Sequence, residues 1–111
     1  MTDDMNTNEK AVPSRSWMVE MSLPVPINQE FASLIPDQRM TIGKLMGAGK
    51  ILSYTLTADR TRLWTVVLAP TEEEVVKILG SFPIISWTRY TIHELFFHEY
   101  ALGGALRMSM N

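Results

Sequence analysis

The chain contains no cysteine, which removes disulfides, thiolate metal sites and thiol nucleophiles together. Glycine and proline are sparse, 6 of each in 111 residues, so collagen-like, linker and low-complexity classes are excluded. No segment approaches the roughly 20 consecutive apolar residues of a membrane helix, because Thr, Ser, Arg or Glu interrupts each run. An excess of basic charge is also missing: the formal net charge is -2 and the pI is near 5.6. Lys10, Arg15, Lys44, Lys50, Arg60 and Arg62 lie scattered among acids, so nucleic acid is not an expected partner. The first ten residues lack the basic start and the apolar run of roughly 7–15 residues of a secretory signal, and a cytoplasmic protein is expected. What is present, 46% hydrophobic and 20% charged residues, is the composition of one folded domain with a modest core.

Trp17, Val19, Met21 and Leu23 alternate with Met18, Glu20 and Ser22, the pattern of a first strand that Pro24 and Pro26 end. Asn28 then offers an N-cap oxygen, and Phe31, Leu34, Ile35, Gln38, Ile42, Leu45 and Met46 recur at helical spacing up to Gly47-Ala-Gly49. Pro36 lies within that helix and predicts a bend or restart near Ile35–Pro36. Residues 51–57 and 63–69 read as a hairpin around a turn at 58–62. Thr71-Glu-Glu-Glu74 reads as a capping box opening a second helix that buries Val75, Val76, Ile78, Leu79 and Phe82. A last extended run is expected over 87–97.

The order β-α-β-β-α-β is that of a ferredoxin-like α+β fold, a four-stranded antiparallel sheet with two helices on one face. Residues 1–15 read as a flexible N-terminal arm, 16–100 as the ferredoxin-like domain, and 101–111 as a C-terminal tail that packs on the oligomer. The third strand carries Trp64, Val66 and Leu68 on one side and Leu63, Val67 and Ala69 on the other, so both sheet faces call for burial. A second copy is the expected cover for the helix-free face, since a standard interface takes only about 800 Å² per partner.

Several groups could carry chemistry. Glu20 sits mid-strand among apolar residues, where burial would suit it to proton transfer; the plainer reading is an acid paired with Arg39, Arg62 or Arg89. His93 and His98 are candidate general bases, or hydrogen-bonded residues at a subunit contact. Their separation is wrong for the helical zinc-protease motif, so no metal is expected. Tyr54 and Arg89, if inward, could hold a carboxylate. Trp17, Trp64, Trp87 and Tyr90 could line an aromatic pocket between sheet and helices, or simply pack. The glycines at 43, 47 and 49 end a helix instead of opening one, which gives nucleotide binding no support.

Gly49-Lys-Ile-Leu-Ser-Tyr54, Asp59-Arg-Thr-Arg-Leu-Trp64, Thr71-Glu-Glu-Glu-Val75 and Leu79-Gly-Ser-Phe-Pro-Ile84 together resemble the muconolactone isomerase-like family of the dimeric α+β barrel superfamily, over about residues 17–98. The resemblance implies a dimer with sheets packed face to face, and for some members larger rings such as decamers. It implies an activity on a small organic acid or lactone, bound or isomerised by proton transfer without a cofactor, and His98 falls on a similar histidine of the family. The residue types themselves put forward Glu20, His93 and His98 as catalytic candidates and Tyr54, Arg89, Trp64 and Arg39 as substrate-binding candidates. Ser16, Met18 and Ser22 stand where the isomerase has basic residues on its first strand, a departure from the family's catalytic pattern. The competing classes are a noncatalytic binding or structural oligomer and, third, a cofactor-free monooxygenase.

Overall fold

The computed structural model describes residues 14–24 and 26–99; the C-terminal tail expected at 101–111, and all but the last two residues of the N-terminal arm, lie outside them. Strand β1 runs Arg15–Ser22, beginning before the expected Trp17 and ending just short of Leu23. Helix α1 follows at Gln29–Ala32 and helix α2 at Ile35–Gly47, then strands β2 (Ile51–Leu56) and β3 (Arg62–Ala69), helix α3 (Glu72–Gly80) and strand β4 (Arg89–Glu94). The sheet order is β2-β3-β1-β4, with every neighbouring pair antiparallel. This is the ferredoxin-like α+β architecture.

Local chemistry sets the element boundaries. Asn28 Oδ1 accepts from the Phe31 amide at 2.7 Å and caps α1. The expected restart occurs after Ser33 and Leu34: Pro36 lies in the first turn of α2, where its missing N–H costs no helical bond. The end of α2 is a Schellman motif, with the Lys50 amide donating to the Leu45 carbonyl at 2.9 Å and the Gly49 amide to Met46 at 3.0 Å. Gly49 takes the left-handed conformation this requires, at φ 75°. Thr71 Oγ1 accepts from the Glu74 amide at 3.2 Å, but the Glu74 carboxylate turns to Lys77, 3.6 Å away, so only half of the expected capping box forms.

The extended run expected over 87–97 is shorter. Ile85–Trp87 form a 3₁₀ turn, held by the Trp87 amide donating to the Ile84 carbonyl at 2.9 Å. Trp87 packs edge-on against Phe31, with ring centroids 6.0 Å apart. Pairing of β4 with β1 stops at Glu94 opposite Trp17.

The core lies between the helices and one sheet face. Trp17, Val19 and Met21 of β1 and Leu63, Thr65, Val67 and Ala69 of β3 point there and are buried. Phe31 from α1, Val75 and Leu79 from α3, and Phe82 and Ile84 beyond it close over them. Val76, expected inside, is exposed on the outer side of α3. Each fully buried apolar side chain of this kind contributes roughly 1.5–3 kcal/mol.

Strand β2 departs from simple alternation. Ile51 pairs with Val67 but Ser53 pairs with Val66, a β-bulge at Leu52. The bulge resets the phase, so Ile51, Tyr54 and Leu56 all face the helices, while Ser53 and Thr55 face away.

Two glycine substitutions separate the conformational role of Gly49 from the ordinary cost of glycine in a helix. A Cβ at either Gly43 or Gly49 would meet no heavy atom within 4 Å. Gly49→Ala should destabilise the protein by about 1 kcal/mol, through the left-handed φ alone, whereas Gly43→Ala within α2 should stabilise it by roughly 0.5–1 kcal/mol. Urea unfolding of the two variants reads both values.

Candidate functional site

Side-chain alternation divides the candidate residues between two places. On the helix-free face, Glu20 stands opposite Trp64 on β3 and Thr91 on β4. Its carboxylate forms a salt bridge with Arg62, not with Arg39 or Arg89. Both partners are partly exposed, so the burial that would suit Glu20 to proton transfer is not met, and such a pair contributes about 0–1 kcal/mol. Arg89 and Glu20 border a shallow depression of about 190 Å³ with Ser22, Arg62, Tyr90 and Thr91. His93 is exposed on the same face, opposite Met18, with Nε2 3.3 Å from Thr91 Oγ1. His98 lies past the end of β4, off the sheet. Glu20 and Arg89 therefore come together, His93 is a neighbour on the same face, and His98 stands apart from them in the chain's course.

The helix-free face is less uniformly apolar than expected. Met18, Trp64, Val66 and Leu68 form an apolar stripe down its centre, and Glu20, Arg62, Arg89, Thr91 and His93 flank it. Among these, Val66 is already buried by its neighbours on the sheet.

The aromatic pocket foreseen for Trp17, Trp64, Trp87 and Tyr90 is not formed by those residues. Trp17 is core, its Nε1 donating to the Ala69 carbonyl at 2.9 Å and its ring lying under the Arg15 guanidinium, 5.6 Å from the ring centre. Arg15 in turn pairs with Glu94 at 2.7 Å. Trp64 faces the other way from the helices, and Trp87 packs on Phe31.

A different pocket opens between α2 and the β2–β3 end of the sheet, with a volume of about 460 Å³. Its walls are largely apolar, including Phe31, Ile35, Ile42, Met46, Leu56 and Leu63. Three polar residues join them: Gln38 and Arg39 from α2, and Tyr54 from β2. Gln38 is 2% exposed. Its Nε2 donates to Tyr54 Oη at 3.1 Å, and its Oε1 accepts from the Ile84 amide at 3.4 Å. Burial raises the Tyr54 phenol above its ordinary pKa of 10.0, opposed by the hydrogen bond from Gln38 and the charge of Arg39. The phenol is thus protonated at neutral pH. Gly43 lines the same wall and leaves it open.

Tyr54 and Arg39, both expected to bind substrate, meet in this pocket; Arg89 and Trp64 do not reach it and lie on the opposite face of the sheet. Gln38 was not among the expected site residues. Its signal was present, an amide on the helical stripe otherwise made by Phe31, Leu34, Ile35 and Ile42, since a polar group at a core position needs partners. Among the described residues, no group of three or more His, Asp or Glu side chains is placed to hold a metal ion, and no helix is long and apolar enough to cross a membrane.

No protein-family model matches the chain, and no curated protein matches it. A solved structure does: the crystal structure of muconolactone isomerase at 3.3 Å resolution superposes with a TM-score of 0.63 and 20% sequence identity, covering 78% of this chain and 94% of that one. Identity at that level speaks for the backbone and not for the chemistry. The chain has a muconolactone isomerase-like fold.

Proposed function

We propose that the protein binds a small organic acid or lactone in the pocket between α2 and β2, and that it does so as a homo-oligomer joined through the helix-free sheet face. The observation that carries this reading is the meeting of Arg39, Tyr54 and Gln38 at one end of an otherwise apolar cavity. Convergent polar groups on greasy walls are the usual make-up of a small-molecule site. A guanidinium and a protonated phenol both donate hydrogen bonds, which suits a carboxylate or a carbonyl oxygen. The volume of about 460 Å³ falls within the roughly 300–1,000 Å³ of ligand pockets.

Binding is favoured over isomerisation because none of the expected bases lines this pocket: Glu20 and His93 sit across the sheet, and His98 is not among the lining residues. Proton transfer is the second reading, supported by Glu20 and Arg89 sharing the depression on the helix-free face. The Arg62 salt bridge on Glu20 works against it, since the guanidinium occupies a carboxylate oxygen that would otherwise take the proton.

Calorimetry with hexanoate tests the pocket. Tyr54→Phe and Arg39→Ala should each weaken binding roughly 10–100-fold, the range for hydrogen bonds to a charged partner. Gly43→Leu, which fills the open wall, should abolish binding while the protein stays folded. Unchanged affinity in all three variants would contradict the assignment. For the assembly, sedimentation should give a dimer or a multiple of it, and Trp64→Lys should shift the particle toward the 12.6 kDa monomer without unfolding it. A wild-type monomer at micromolar concentration would rule out the sheet-face contact.

A further inference from the structure

We infer that Gln38 is a positioning residue that aims the Tyr54 hydroxyl proton into the pocket, so that the site engages ligands through an acceptor oxygen and discriminates against ligands whose polar group only donates. This rests on the pocket being the ligand site proposed above and adds the direction of its hydrogen bonding.

The orientation follows from which atoms can donate. A backbone N–H only donates, so the end of the Gln38 amide that meets the Ile84 amide is its oxygen. The other end, at 3.1 Å from Tyr54 Oη, is then the NH₂ group, which cannot accept. The usual ambiguity of a glutamine amide is removed by the backbone partner. Tyr54 Oη must therefore accept from Gln38, and its one proton is left for another partner. Among the described residues no protein acceptor takes it, and Tyr54 lines the pocket.

Burial makes the arrangement firm. At 2% exposure a primary amide without partners would be strongly destabilising, and Gln38 is held between a fixed backbone amide and the phenol. Rotating the amide would set its NH₂ against the Ile84 N–H and lose that bond. Arg39, next along the helix, also only donates. The polar end of the pocket thus presents donors from Tyr54 and Arg39, and its apolar walls take the ligand's carbon skeleton. A carboxylate or a lactone carbonyl fits this pattern; an alkylamine, which brings a cation beside Arg39 and a donor to a donor, does not.

The test uses the full chain with three six-carbon probes: hexanoate, γ-caprolactone and hexylamine. Wild-type protein should bind the first two and discriminate against the amine by at least about tenfold, the effect of one hydrogen bond. In Gln38→Glu the new carboxylate accepts the Tyr54 proton, so hexanoate and lactone binding should fall by about tenfold or more and the preference over hexylamine should shrink or invert. Gln38→Met, close in volume, frees the hydroxyl to turn either way, and the lactone-to-amine ratio should narrow. Without ligand, the Tyr54 phenol, followed by tyrosinate absorbance against Tyr54→Phe, should titrate at higher pH in both variants, because the donor that stabilises the phenolate is gone. A merely structural Gln38 would change stability and leave the ligand ratio and this titration where they are. If the probes bind wild type with the stated preference but both variants, still folded, keep that ratio and that titration, the Gln38 inference is overturned and the pocket stands. If no probe binds wild type, the pocket reading fails, and the inference with it.

Discussion

Side chains on a strand alternate between the two faces of its sheet, and that alternation governs nearly everything else in this molecule. Helices α1, α2 and α3 and the segment after α3 can cover only one face of four strands. Odd-numbered positions of β1 and β3 therefore carry the core, from Trp17 to Ala69, and even-numbered positions carry whatever meets solvent or another chain. Glu20 and Trp64 fall on the second side, and β4 brings Arg89 and His93 there through its pairing with β1. No rotamer change in these residues would carry them through the sheet to the pocket.

The one interruption of the alternation places the pocket's phenol. Without the bulge at Leu52, Ile51 and Tyr54 would lie on opposite faces; with it, both face the helices. Bulges are common beside functional sites because they redirect a side chain in this way. The restart at Pro36 gives α2 its own beginning after α1, and α2 is the helix that brings Gln38 and Arg39 to Tyr54. Gly43 leaves space in the middle of α2 where alanine would make a better helix. A buried amide, an unfilled wall and a glycine inside a helix all run against local stability, and their occurrence at one spot is the pattern expected of a site shaped for something other than folding.

The order of elements was legible because its signals are local: the Asn28 cap, the Thr71 cap, the Gly49 stop and the two-residue period of β1 and β3 each act within a few residues. Contacts between distant segments were less so. Arg62, not Arg39 or Arg89, pairs with Glu20 because of the β1–β3 register, which places Ser22 opposite Arg62 and Glu20 one step along the same face. The run from Trp87 to Phe97 looked continuous in sequence, yet Trp87 is drawn into a 3₁₀ turn by its packing on Phe31. Tyr54 and Arg39 were picked out as binding residues by residue type; that they meet depends on a bulge that no residue in β2 announces. Gln38 was counted with the apolar stripe of its helix, and its burial there is what makes its hydrogen bonds consequential.

The most direct test of the account is an experimental structure of the protein with hexanoate bound. It should show the carboxylate at the α2–β2 pocket, within hydrogen-bonding distance of Tyr54 Oη and the Arg39 guanidinium, with the alkyl chain along Ile42 and Leu63. Hexanoate seated instead on the helix-free face beside Glu20 and Arg89, with the α2–β2 pocket free of it, would contradict the account.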